Sequence, residues 1–235
     1  IRRPPRSTLF PYTTLFRSDL FVIRGTVVSA EHVSLGHEPL NLKKFIYDLD
    51  VPVIVGGAAN YTAALHLMRT GAAGVLVGFG GGAVTATRTT IGVHAPMATA
   101  IADVAEARRD YMDESGGRYV QVIADGGMGD SGSFVKALAM GADAVMLGAP
   151  LARATEAPGG GKHWGAEARH QTLPRGSRTD VGTVGSLEQI LFGPSHRADG
   201  QVNYIGALRR AMASTGYVDV KSFQRCSVVV NPYHV

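Results

Sequence analysis

The feature that most constrains the fold of this chain is a rhythm. Five short runs of apolar, often β-branched residues, most of them closed by glycine or another small residue, alternate with segments of helical periodicity. The runs are Leu20 to Val27, Val51 to Val55, Gly74 to Val77, Tyr119 to Ala124 and Ala144 to Leu147. Most lack the strict polar alternation of a strand with one wet face, so they read as parallel strands buried on both sides, which requires covering helices. Between them, Asn60 to Thr70 sets Ala64, Leu67 and Met68 on one helical face and stops at Gly71. Ala95 to Asp113 predicts a long helix of small residues with Arg108 and Arg109 near its C-terminal end, and Ser133 to Met140 predicts a shorter one. TGAAGVLVG from Thr70 and MGADAVMLG from Met140 repeat one helix-end, Gly-Ala, strand, Gly unit. Such units build either a β/α barrel or a doubly wound open sheet, and the pattern alone does not separate the two.

From Gly159 to Gly182 the rhythm stops in a stretch rich in Gly, His, Arg and Pro, which reads as a long loop or flap. The tail predicts helices at Leu187 to Leu191 and Tyr204 to Met212 and a strand at Ser227 to Val230. The first 18 residues, IRRPPRSTLFPYTTLFRS, carry three prolines, no acidic residue and no periodicity, and resemble translated sequencing adapter. They are expected to be a foreign or disordered leader to a single unit spanning 19–235.

That leader also decides what the charge means. The chain has net charge +4, but Arg2, Arg3, Arg6 and Arg17 all lie in the leader, and without them basic and acidic residues balance. A polyanion-binding surface is therefore not indicated by the charge total. With 45% hydrophobic and 18% charged residues the remainder can bury a sizeable core. No apolar run approaches the roughly 20 residues that cross a bilayer, and no secretory signal is evident, so a cytoplasmic location is expected. Cys226 stands alone, which excludes an intramolecular disulfide. Its run, CSVVV, suggests a small buried hydrophobe rather than a nucleophile. His32, His37, His66 and His94 show no metal-ligand spacing, which argues against a metal hydrolase.

Three glycine-marked strand ends carry the candidate chemistry: GFGGGAVTATR from Gly78, ADGGMGDSG from Ala124 and LGAP from Leu147. In a β/α barrel the C-terminal strand ends form the active face, and backbone N–H groups there bind phosphate, which glycine lets the main chain approach closely. Asp125, the only carboxylate in YVQVIADGG, is suited to accept hydrogen bonds from sugar hydroxyls, or else to serve as a turn or cap aspartate. His163 and Trp164 in GGGKHWG offer either a ring to stack on a purine or an anchor for the loop.

The segment VIADGGMGDSGSFVKALAMGADAVMLGAPLARATEAPG resembles the phosphate-binding core of the inosine-monophosphate dehydrogenase and GMP reductase family, and GAAGVLVGFGGGAVTATRTTIGV resembles its catalytic loop. RRDYMDESGGRYV, LFGPS and GALRRAMASTGY are similar to a dehydrogenase-related group found in actinobacteria. The resemblance, from about Asp19 to the C-terminus, implies a parallel (β/α)8 TIM barrel present as its C-terminal part, about strands four to eight. It implies a purine nucleoside monophosphate, IMP or GMP, with Asp125 on the ribose hydroxyls and Gly127, Gly148 and Ala149 at the phosphate. Gly78 and Gly80 would face NAD or NADP, and carbonyls of Gly80 and Gly82 a monovalent cation such as potassium. Full-length members form tetramers.

The departures matter as much. Alignment through the glycines and Arg88 puts Thr85 where the family has its nucleophilic cysteine, and a hydroxyl without an adjacent base is no substitute for a thiolate. Ala83 replaces a phosphate-binding serine. Arg24 stands at or near the place of an aspartate that meets the NAD ribose. In the short flap, Arg175 and Arg178 are the counterparts of a catalytic arginine, or simply solvated charges. Three readings follow: an IMP dehydrogenase-related oxidoreductase of purine metabolism and GMP biosynthesis with an altered covalent step, a non-catalytic nucleotide-binding or regulatory protein, and a flavin- or sugar-phosphate-binding barrel enzyme.

Overall fold

A computed structural model describes residues 18–25, 36, 40–165 and 178–229. Its centre is a five-stranded parallel sheet of β1 (Phe21–Arg24), β2 (Val53–Ala58), β3 (Gly74–Val77), β4 (Gln121–Asp125) and β5 (Ala144–Met146). Each of the five expected runs overlaps one of these strands, with β2 running on to Ala58 and β4 to Asp125 beyond the expected ends. They lie side by side in chain order, with Val55 paired to Val75 and Val75 to Val122. Sequential order without reversal is the arrangement of a β/α barrel; a doubly wound sheet reverses direction at a switch point. Among the described residues the sheet is open, with β1 and β5 at its edges.

Why these strands are central is visible in their burial. All four residues of β3 are buried, as are Val53 and Val55 of β2 and Val122 and Ala124 of β4. Helices α1 (Leu42–Asp48), α2 (Tyr61–Arg69), α4 (Met97–Glu114) and α5 (Ser131–Ala139) pack against the sheet, while the short α3 (Thr87–Ile91) and α6 (Ala149–Ala152) follow the loops after β3 and β5. Leu67 and Met68 of α2 and Ile101 and Val104 of α4 join the strand valines in one cluster. Each such fully buried side chain contributes about 1.5–3 kcal/mol of transfer free energy.

Helix boundaries follow local chemistry. The Asn60 side chain accepts the Ala63 N–H at 2.9 Å to start α2, and Gly71 at φ 100° lets the chain turn away after it. Asp130 does the same for α5, accepting from the Ser133 N–H at 2.8 Å, so this helix begins two residues before the periodicity predicts. Pro96 caps α4 in an extended conformation, which moves its start from Ala95 to Met97. The short helices α1, α3 and α6 escape a periodicity reading because four to seven residues make at most two turns.

The segment after Gly159 corrects the expectation of an unstructured loop. Two short strands, β6 (Lys162–Trp164) and β7 (Arg178–Asp180), pair antiparallel. The tail forms α7 (Leu187–Phe192), α8 (Tyr204–Thr215) and α9 (Val220–Phe223). Leu208 of α8 and Phe223 of α9 pack with Leu138 of α5, placing this part of the tail on the flank of the sheet. The strand expected at Ser227–Val230 is absent at 227–229, where Val229 is 86% exposed; Val230 lies outside the described residues. A β-branched run becomes a strand only when an edge is available to pair with it. No helix among the described residues is long and apolar enough to cross a membrane.

Below the sheet, where β4 and β5 begin, one carboxylate organises a side-chain network. Asp143 accepts from Arg108 Nη1 at 2.6 Å, Tyr119 Oη at 2.6 Å, the Val122 N–H at 2.8 Å and Gln224 Nε2 at 3.1 Å. Lys221 of α9 donates to Tyr119 Oη at 2.6 Å. Burial, reinforced by the hydrogen bond to Asp143, pushes the Tyr119 phenol up to about 12.

Candidate functional site

At the opposite end, strands β3, β4 and β5 run out into the three glycine-marked loops, which the parallel order necessarily brings together. The first two touch backbone to backbone. A Cβ on Gly81 would lie 3.6 Å from the Gly127 nitrogen, and one on Gly126, whose φ is +125°, would lie 3.4 Å from the Gly82 nitrogen. A side chain at Gly81 would fill the remaining gap between the loops, and one at Gly126 would be strained by its positive φ. At the third loop, Gly148 caps the N-terminus of α6, and a Cβ there would sit 3.0 Å from His163 Nε2. Burial holds the His163 imidazole below its ordinary pKa.

Asp125 ends β4 between these loops and is buried. Its Oδ2 accepts from Arg24 Nε at 2.7 Å. This ion pair also measures the sheet. Arg24 and Asp125 sit on strands three positions apart, about 14 Å on a flat sheet, further than two such side chains can span. The sheet must therefore curl inward at its C-terminal end, as the arc of a barrel does. Arg24, which stands at or near the place of the aspartate expected to meet a cofactor ribose, thus pairs with Asp125 directly; its side chain is 48% exposed against 10% for Asp125.

Thr85 lies half-buried just before α3, with its N–H donating to the Gly82 carbonyl at 3.2 Å and its hydroxyl 3.0 Å from that of Thr87. Its side-chain partner is thus another hydroxyl rather than a base. Ala83 is exposed, and its carbonyl accepts from Thr179 Oγ1 of β7 at 3.5 Å. The β6–β7 pair therefore reaches the first loop through Thr179 and the third through His163. Between its first strand and α6 lies a cavity of about 540 Å³ bordered by Leu147, Gly148, Lys162, His163, Trp164 and Leu187. A smaller one of about 170 Å³ opens beside Gly127, Met128 and Ser133. Trp164 is 40% exposed with the Arg178 guanidinium 5.5 Å from its ring centre, so Arg178 is engaged by an aromatic face. Arg175 lies outside the described residues, as do His32 and His37.

Sequence reasoning missed three of these relations: the Arg24 to Asp125 pair, the contact of Thr179 with the first loop and the approach of His163 to Gly148. Arg24 at a strand end was a usable signal for a place at the mouth, but its reach depends on curvature. The other two depend on how β6 and β7 pair.

A comparison with known families adds the deciding observation: residues 26–189 match the IMP dehydrogenase / GMP reductase domain. The chain belongs to that family. It is 56% identical over 91% of its length to an uncharacterized oxidoreductase of Mycobacterium leprae. Over 82% of its length it is 32% identical to the inosine-5'-monophosphate dehydrogenase of Methanocaldococcus jannaschii. Its fold matches the crystal structure of an IMP dehydrogenase/GMP reductase-like protein from Corynebacterium glutamicum, with a TM-score of 0.87 and 54% identity over 95% of this chain. The chain spans 58% of the Mycobacterium leprae protein and 58% of the Corynebacterium chain. It is a member of an oxidoreductase family whose fold is a TIM barrel, of which it holds a five-stranded parallel part.

Proposed function

We propose that this chain carries the nucleotide-holding part of a purine-nucleotide oxidoreductase and that its ligand is IMP or GMP. The observation that carries this reading is the convergence of three glycine loops around one buried carboxylate. Asp125 accepts the ribose hydroxyls once Arg24 yields, while the backbone N–H groups of Gly127, Gly148 and Ala149 face the phosphate. Glycine at these places supports the reading because it leaves main-chain donors accessible to an anion. NAD or NADP, when bound, would accept or supply the hydride. Gly78 and Gly80 line the first loop, where such a cofactor would approach, but an exposed guanidinium at Arg24 replaces any acidic ribose acceptor on β1. The Gly80 and Gly82 carbonyls could hold a monovalent cation such as potassium, with Gly82 sharing its oxygen with the Thr85 turn. A cytoplasmic, tetrameric whole protein is part of this proposal.

Thr85 favours a second reading, that nucleotide is bound without turnover. Its hydroxyl meets Thr87 rather than an imidazole or carboxylate, so nothing there draws off its proton. Isothermal titration of IMP and then GMP into the chain and its Asp125→Ala variant, followed by a spectroscopic assay with NAD and NADPH, separates the two. Binding that depends on Asp125 with no turnover establishes the second reading. Turnover establishes the first, and absence of binding by both nucleotides overturns both.

A further inference from the structure

At the end of the sheet away from the glycine loops, a groove of about 600 Å³ opens between α1 and the C-terminal end of α2. Thr70 and Gly71, which lead into β3, and Arg118, which precedes β4, fix it at the N-terminal ends of the strands. Lys43 and Lys44 of α1, Arg69 of α2 and Arg118 line it, and among the described residues no aspartate or glutamate does. In a chain whose charges balance outside its first 18 residues, four cations around one concavity is a local excess.

The four are not equivalent. Arg69 forks the Glu114 carboxylate, with Nη2 to Oε2 at 2.6 Å, and is largely neutralised. Glu114 in turn is held below its ordinary pKa by that bond. Arg118 donates through Nη2 to the Gly71 and Ala72 carbonyls, neutral acceptors that fix the guanidinium and leave its charge uncompensated. Lys43 and Lys44 are exposed on α1. Tyr47 lies one turn along the helix from Lys43, lines the same groove and is 82% exposed. A large aromatic left this bare beside uncompensated cations is suited to stack a flat ring.

We infer that this groove is a second anion site, and that it takes a small ligand bearing two or more linked phosphoryl groups and an aromatic ring. Its volume is that of a small-molecule site rather than an extended strand of nucleic acid. A fixed guanidinium and two flexible ammonium groups match charge spread over neighbouring phosphoryl oxygens better than they match a single carboxylate. The inference is independent of the proposed function, since the groove shares no residue with the glycine loops.

The test is isothermal titration of inorganic triphosphate and of ATP at low salt into the chain and into Lys43→Glu/Lys44→Glu, Tyr47→Ala and Asp125→Asn. Lys43, Lys44 and Tyr47 are exposed, so their variants should keep the parent's thermal melt, which is recorded alongside. Charge reversal should weaken both ligands by about tenfold or more. Tyr47→Ala should weaken ATP by about three- to tenfold while leaving triphosphate unchanged, and Asp125→Asn, which alters the glycine-loop site, should leave triphosphate binding unchanged. No saturable triphosphate binding, or binding indifferent to charge reversal, overturns the site. A loss of ATP binding in Asp125→Asn equal to that of the charge reversal assigns the ligand to the glycine loops instead and also overturns it. Equal loss of both ligands in Tyr47→Ala overturns the stacking assignment.

Discussion

The two ends of the sheet are built from different materials. At the C-terminal ends of β3, β4 and β5 the chain presents glycine backbone and one buried carboxylate whose partner, Arg24, is half exposed. At the N-terminal ends of β4 and β5 it presents a closed set of side chains, in which Asp143 satisfies four donors and Arg108 is only 7% exposed. The first arrangement has polar capacity to spare and the second has spent it. A site that must exchange water for ligand benefits from the former, while a junction between sheet and tail needs the latter.

The contrast is most easily broken at Asp143. Asp143→Ala leaves the Arg108 guanidinium buried without its carboxylate, and we expect a loss of about 3–5 kcal/mol in denaturant unfolding. A loss under about 1 kcal/mol would mean that the lower network is ornamental. Asp125→Ala should behave oppositely. Removing an acceptor from a half-exposed pair costs about 1 kcal/mol of stability or less, whereas nucleotide affinity falls about ten- to a hundredfold as charge-assisted hydrogen bonds are lost. Calorimetry and a thermal melt on one sample give both numbers.

Gly80→Ala sharpens the comparison within the upper end. Gly80 has φ +75°, and a Cβ there would lie 2.8 Å from the Val93 carbonyl oxygen. The variant should lose about 1–2 kcal/mol by unfolding, whereas alanine at the open Gly129 should cost less. The smallest effect concerns pH. Burial lowers the His163 pKa, so the unfolded chain takes up its proton first as pH falls. The contribution is constant above about 6.5 and declines below it toward the lowered folded value. We expect under roughly 1 kcal/mol over that window, flattened in His163→Gln, by unfolding titrations at several pH values.

Much of the frame was legible beforehand because its determinants are local. Apolar runs too uniform for a wet face specify parallel strands, and Asn60 before an amphipathic stretch with Gly71 after it specifies a helix. Where the reading failed, the cause was usually a partner elsewhere. Ser227 to Val229 has strand-forming residues but no described edge to join, while Lys162–Trp164 forms a strand in an irregular stretch because Arg178–Asp180 pairs with it. The candidate site divides in the same way. Gly127, Gly148 and Asp125 could be picked out as strand-end residues, but not that Asp125 is already engaged by Arg24, 101 residues earlier.

The sequence by itself determined the alternation of strand and helix, the small residues at the strand ends and the family to which these belong, because each depends on neighbours a few residues away or on motifs carried whole. The tertiary structure decided what lies across from what. Sheet curvature brings Arg24 to Asp125, Thr179 reaches the Ala83 carbonyl, and Lys43 and Arg118 come to border one groove. These meetings depend on the angle and distance between elements far apart in the chain, which are set by packing summed over the whole core rather than by any segment of it.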